Sequence, residues 1–215
     1  MNCPKCNMTH LYSLSNDYFK CASCKTKFSL KKQNMDCEVI HLFCSNINAQ
    51  QSAQLLKVNY RTVANRYALF RKLIAKHAQE VYEQQIHTEN SYEEHYYFTQ
   101  RQKNRKRKSL YEAVNIIGFY SNQTIFTLLM PKLSKSALQE HDDSFERYLS
   151  WHKLQSQNAY KTPLKVFWAY LEQNLKKYKG ISEENFFYYL KECEFKYNYV
   201  LHQQIEILKN LYFKL

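Results

Sequence analysis

The chain is nearly without glycine: two residues in 215, beside three prolines. Glycine is the ordinary residue for hairpin turns and helix C-caps, so glycine-rich turn and linker architectures are excluded. Acidic side chains are also few, 19 Asp and Glu against 31 Lys and Arg, for a net charge of +12. Such a surface points to a polyanionic partner. No apolar run reaches the roughly 18 residues of a membrane span, so no membrane partner is expected. No secretory signal precedes Cys3, and the expected compartment is the cytoplasm, where disulfides are rare. The length allows one compact domain or several small ones.

Against these absences stand four cysteines at the start. Cys3-Pro-Lys-Cys6 and Cys21-Ala-Ser-Cys24 form a CxxC–x14–CxxC pattern. Each CxxC sets two thiolates on one tight turn, and a hairpin over Leu11–Lys20 brings the turns together around a tetrahedral Zn²⁺. With all four positions filled by sulfur, no site stays open for a catalytic water, so the metal is expected to be structural. Phe28 is placed to cover the knuckle. Two disulfides are the alternative, and they require an oxidising compartment. Cys37, Cys44 and Cys193 show no pairing logic. Cys37 and Cys44 lie seven apart in a helical pattern and read as apolar core residues.

Residues 1–35 therefore read as a zinc ribbon, and 36–79 as a helical DNA-binding domain. Cys37, Ile40, His41 and Cys44 recur at helical spacing, and Asn46–Asn48 breaks that helix. A second helix is expected over Ala49–Leu56, and a third over Tyr60–His77, with Val63, Tyr67, Phe70 and Ile74 on one face. Two helices joined by Lys57-Val58-Asn59 describe a helix-turn-helix, with Ala53 at the close approach and Val58 plugging the turn. On the second of these helices Thr62, Asn65 and Arg66 are expected to face base edges, and Arg61, Arg71 and Lys72 to meet phosphates. An ordinary helical bundle with a wet basic face is the competing reading.

Strands are expected over Val81–Tyr92, Glu112–Phe119 and Thr124–Met130. Between the first two, Arg101, Lys103, Arg105, Lys106, Arg107 and Lys108 put six cations in eight residues. This block should stay an open loop and contact phosphates. A loop that serves only solubility is the competing reading. Helices follow from Lys135 to the end. One starts at Pro163 with Leu164, Phe167, Trp168, Leu171 and Leu175 on one face and Gly180 past its end. The next is capped by Ser182, and a last one carries Ile205, Leu208 and Tyr212.

This layout resembles the small bacterial insertion-sequence transposases, in which a zinc ribbon and helix-turn-helix precede a DDE catalytic core of RNase H-like fold. The segments that carry the likeness are Phe167-Trp168, Leu175–Ile181 and above all Tyr189-Leu-Lys-Glu-Cys-Glu-Phe-Lys-Tyr-Asn198. Asn90-Ser91-Tyr92 resembles part of the first catalytic motif, and Ala113–Phe119 the second strand. The resemblance implies an α+β chain of several parts, with 80–215 as a shortened RNase H-like α/β core ending in a helical tail.

It also implies Mg²⁺-dependent DNA cutting by three carboxylates. Carried over, these fall on Glu89, on Asp143 with Tyr148 five residues later, and on Lys165. A lysine cannot ligate Mg²⁺, and only 21 residues separate Asp143 from Lys165. The triad is thus expected to be degenerate, with Mg²⁺ a cofactor only if the core still acts. Glu172 is the alternative third carboxylate, about two helical turns along. The expectation is a transposase-like protein on double-stranded DNA in the cytoplasm, associated with the nucleoid, with homo-oligomerisation open. A domesticated non-enzymatic DNA-binding regulator is one alternative. A zinc-ribbon adaptor for RNA or protein is another.

Overall fold

A computed structural model describes residues 2–85, 91–105, 110–131, 163–178 and 180–214. Among them are two three-stranded antiparallel sheets and seven α-helices, an α+β chain. The chain divides into two compact units, Met1–Val81 with Tyr199–Leu215, and Tyr82–Asn198. The last helix, read from sequence as part of the core's tail, thus groups with the N-terminal unit.

In the first unit, β1 (Leu11–Ser13), β2 (Tyr18–Cys21) and β3 (Lys27–Ser29) form a meander in which Leu11 pairs with Cys21 and Phe19 with Phe28. Helix α1 (Leu30–Cys44) follows directly and starts inside the segment read as the ribbon's polar end. Asn46 takes a left-handed φ of 62°, and the Asn48 side chain caps α2 (Ala49–Leu56) by accepting from the Gln51 N–H. Lys57, also left-handed, ends α2, and the Val58 N–H reaches the Ala53 carbonyl at 3.0 Å. Asn, Asp, Lys and Gln fill the left-handed turns that glycine would otherwise take.

Helix α3 spans Tyr60–Gln85. It is longer than the sequence suggested and overturns the strand expected from Val81. Val63, Tyr67, Phe70 and Ile74 are buried on it as its periodicity requires. The Tyr67 hydroxyl bonds Ser52 Oγ at 2.7 Å and donates to the Ile47 carbonyl at 2.9 Å, which ties α2 and the preceding turn to α3. Across this core Phe43 meets Tyr67 and Phe70 edge-on at 4.9 and 5.5 Å. Helix α7 (Leu201–Phe213) packs on α1, and its Tyr212 ring stands edge-on to Phe70.

The second unit holds β4 (Ser91–Tyr97), the short helix α4 (Gln100–Lys103), β5 (Val114–Ser121) and β6 (Thr124–Leu129), with helices α5 (Pro163–Leu175) and α6 (Glu183–Asn198). The sheet order is β4-β5-β6, with Glu93 opposite Gly118 and Gly118 opposite Thr127. Its core joins Ile116 and Ile125 to Leu164, Phe167, Trp168 and Leu171 of α5 and Leu190 of α6. Tyr82 stacks on Phe126 at 3.9 Å, a contact that accounts for an aromatic residue near the end of α3. Gly118 is required by packing: a Cβ there would lie 2.6 Å from the Trp168 ring.

The Tyr189–Asn198 segment acquires a physical role. Ile125 and Thr127 of β6 direct their backbone groups to α6 side chains. Asn198 accepts from the Ile125 N–H at 2.9 Å and donates to its carbonyl at 2.7 Å. Glu194 accepts from the Thr127 N–H and hydroxyl at 2.8 and 2.6 Å, and the Lys191 ammonium donates to the Thr127 carbonyl at 2.8 Å. Lys191 and Glu194 also pair at 2.8 Å with side chains 2% and 3% exposed. Residues 191, 194 and 198 share a helix face, so one stripe of α6 satisfies a strand edge that would otherwise bury unpaired polar groups.

Candidate metal centre and basic surface

The sulfurs of Cys3, Cys6, Cys21 and Cys24 lie within 4.8 Å of one another. Cys3 Sγ is 3.5 Å from Cys24 Sγ, and Cys6 Sγ is 3.5 Å from Cys21 Sγ. A disulfide would bring two sulfurs to about 2 Å, whereas sulfurs bonded at about 2.3 Å to a tetrahedral zinc stand roughly 3.8 Å apart. All four cysteines are free thiols, with Cys3 and Cys21 buried. The hairpin β1–β2 carries one turn to the other, and Phe28 packs on Cys3 and Cys21 as expected.

The local electrostatics differ between Cys3 on one side and Cys21 and Cys24 on the other. Burial pushes the Cys3 thiol up to about 11, opposed by backbone N–H groups of Cys6 and Lys5. Cys24 is drawn down to about 6, chiefly by the Thr26 hydroxyl, which lies 3.2 Å away, and by the Thr26 backbone. Burial also raises Cys21, but backbone N–H groups of Cys24 and Ser23 outweigh it and its net shift is downward. N–H groups aimed at both buried sulfurs supply the outer hydrogen bonds a metal thiolate site needs. The donor set fits a metal such as zinc, which would cross-link the two turns and leave no open coordination position.

The residues read as DNA contacts are placed unevenly. Arg61, Asn65 and Lys72 are exposed on α3, and Thr62 is half-buried. Arg66 turns inward: its Nε donates to Asp36 at 2.5 Å, with the two side chains 15% and 5% exposed. The Arg71 guanidinium lies 5.8 Å from the Phe43 ring centre. Arg101 is exposed in α4. Lys103 is engaged by Glu172 at 2.7 Å and Arg105 by Glu112 at 2.7 Å. Lys106, Arg107 and Lys108 lie outside the described residues.

Of the carried-over triad, Glu89 and Asp143 lie outside the described residues, and Lys165 is half-buried on α5, one turn before Trp168. Glu172, the alternative carboxylate, sits between Lys103 and His95 Nε2, the latter at 3.6 Å. His95 stacks on Trp168 at 4.7 Å and 6°. Burial lowers its pKa to about 4, against the opposing pull of Glu172. Sequence reasoning names Glu172, Lys103 and Trp168 but not His95, and it also passes over Glu93 and Glu94 of β4. Strand alternation puts Glu93 on the same face as His95 and Tyr97. The alternation of 93, 95 and 97 carries that signal, whereas the sequence pattern sets the strand over Val81–Tyr92, ahead of its observed span Ser91–Tyr97.

No family model matches the sequence, and no solved structure matches it. A stretch of 46 residues, 21% of this chain, is 46% identical to an uncharacterized transposase-like protein of Haemophilus influenzae. The match spans 37% of that protein's length, so it supports a transposase-like character and nothing finer.

Proposed function

We propose that this chain is a transposase-like DNA-binding protein whose strand-cutting centre is degenerate. The observation that carries the reading is the four-sulfur cluster at the head of a +12 chain, joined by the partial likeness to a transposase-like protein. In this reading residues 1–35 act as a zinc ribbon and 36–79 as a helix-turn-helix on duplex DNA, within a bacterial cell's nucleoid. Support for the second comes from α2, its three-residue turn and α3, locked by the buried Ser52–Tyr67 bond. Arg61, Asn65 and Lys72 then remain for DNA, whereas Arg66 holds α1 to α3 through Asp36.

Residues 80–215 take the place of an RNase H-like DDE core. Impairment is favoured by Lys165 at the third acidic position and by the Lys103–Glu172 ion pair, which neutralises the alternative carboxylate. Mg²⁺ would serve only a core that still acts.

Duplex binding followed by fluorescence anisotropy across a salt series tests the reading. The logarithm of affinity should fall steeply against the logarithm of salt, by about 0.9 per phosphate contacted. Absence of duplex binding at low salt would reject it in favour of an adaptor. Nicking or joining of DNA ends with Mg²⁺ or Mn²⁺ would reject degeneracy. A regulator that merely retains the binding parts is distinguished by sequence-specific occupancy of one operator and indifference to element ends.

A further inference from the structure

The first unit contains a cavity of about 350 Å³ between the cysteine module and helices α1 and α7. That volume is at the small end of ligand pockets, enough for one base and its sugar and too narrow for a duplex. Its chemistry is unusual for a structural gap. Aromatic rings come from both sides, Tyr18 of β2 and Tyr212 and Phe213 of α7. Tyr18 is 46% exposed, an open ring at a cavity mouth. Tyr212 is fixed, with its ring edge-on to Phe70 at 5.4 Å and to Phe213 at 5.1 Å, and its hydroxyl hydrogen-bonded to the Asp36–Arg66 pair.

Two further features define an occupant. Gln33 lines the cavity, and its Oε1 is buried with no hydrogen-bond partner. A buried acceptor in that state asks for a donor. Lys5, Lys27 and Lys32 also line the cavity, and all three are exposed. The acid at the cavity, Asp36, is already matched by Arg66, so the site favours an anion. Ring faces, an amide for a base edge and cations for phosphate together specify a nucleotide.

We propose that this cavity binds one unstacked nucleotide of a single-stranded DNA segment. The lysines come from three separate elements, the Cys3–Cys6 turn, β3 and α1. That spread suits successive phosphates along a strand better than the phosphate of a free nucleotide. The inference rests on the DNA-binding reading above only in taking DNA as the partner. It adds a single-strand site, lined mainly by residues of the segment 1–35, to the duplex contacts expected of the helix-turn-helix.

The test uses the full zinc-loaded chain with three probes: a fluorescein-labelled single-stranded oligodeoxyadenylate, the same strand paired with oligothymidylate, and deoxyadenosine monophosphate as competitor. Tyr18→Ala should weaken single-strand binding about tenfold, the size of one lost base–aromatic stack. It should leave duplex affinity within about twofold, and Tyr18→Phe should restore single-strand binding. Lys32→Ala should lower the single-strand salt slope by about 0.7, with zinc content unchanged in each variant. Equal losses on both DNA forms, or none, would overturn the proposal. Competition by the monophosphate as effective as by the strand would overturn the strand assignment. Single-strand binding that depends on Tyr18 without any duplex binding would leave this site standing and reject the duplex reading instead.

Discussion

The two sheets of this protein, each with three antiparallel strands, are held by opposite means. The N-terminal one buries Cys3, Cys21 and Phe28, with Leu11, Phe19 and Leu30 partly covered. So small a core cannot by itself offset the entropy of ordering its strands, and a metal held by the four sulfurs would supply the rest. The second sheet has a wide aromatic and aliphatic core under α5 and α6, and its β6 edge is sealed by Lys191, Glu194 and Asn198. A cluster of four sulfurs able to hold a metal accompanies the small core of one, while buried polar side chains complete a core in the other. The contrast explains why the first could be read from four residues and the second could not.

Removing one sulfur should separate them most sharply. Structural zinc contributes about 10–16 kcal/mol of apparent binding free energy in small modules, so Cys21→Ser or chelation should abolish the β1–β3 sheet and leave the transition of the second unit in place. Zinc stoichiometry and differential calorimetry report both, and a variant that keeps full zinc would discard the four-sulfur assignment. The converse variant is Lys191→Met, which strands Glu194 and orphans the Thr127 carbonyl. Breaking a buried pair from one side costs about 3–5 kcal/mol, and urea unfolding should show that loss in the second unit alone. An effect below 1 kcal/mol, roughly that of an exposed pair, would mean that the edge is not sealed by this contact.

Local pattern conveyed what is local. Ala49–Leu56 stands where its spacing placed it, and the Asn46–Asn48 break and the β1–β2 hairpin follow from residues within one turn of each other. Failures arose where a partner is far along the chain. Arg66 looked like a surface cation because its acid, Asp36, is 30 residues away. Lys103 looked free for phosphate because Glu172 is 69 residues away. Val81 and Tyr82 suggested a strand because a β-branched and an aromatic residue share that preference, although the 3.6-residue rhythm of α3 runs on to Gln85. The Tyr189–Asn198 segment was noticed through resemblance alone. Its meaning required the β6 backbone opposite it.

A packing test sharpens the comparison at smaller cost. Gly118→Ala would place a methyl 2.6 Å from the Trp168 ring, and overpacking of this kind costs about 1–3 kcal/mol. Gly180→Ala meets nothing within 4 Å and strains only a left-handed φ of 74°. It should cost about 1 kcal/mol. Urea midpoints for the two variants should therefore separate. If they coincide, the close approach of Trp168 is not what requires glycine at 118.

A last effect is a pH dependence confined to the second sheet. Burial holds His95 at about 4 in the fold, below its ordinary 6.5. Between these values the unfolded chain binds a proton that the folded chain refuses, so stability is lost as pH falls from 6.5 toward 4 and changes no further below that. One pH unit under 6.5 the loss amounts to about 1.4 kcal/mol. Two charges meet the imidazole from other elements: Glu172 of α5 favours its protonation and Lys103 of α4 opposes it. Replacing Lys103 with Met removes the repelling cation and raises the folded-state value toward 6.5. The loss should then still begin at 6.5 but end at a higher pH and be smaller in total. His95→Phe keeps a ring on Trp168 and removes the titrating group, so its unfolding midpoints should vary less with pH across this window. An unchanged slope in the Phe variant would assign the pH dependence to other groups and leave the His95–Glu172–Lys103 cluster without a part in it.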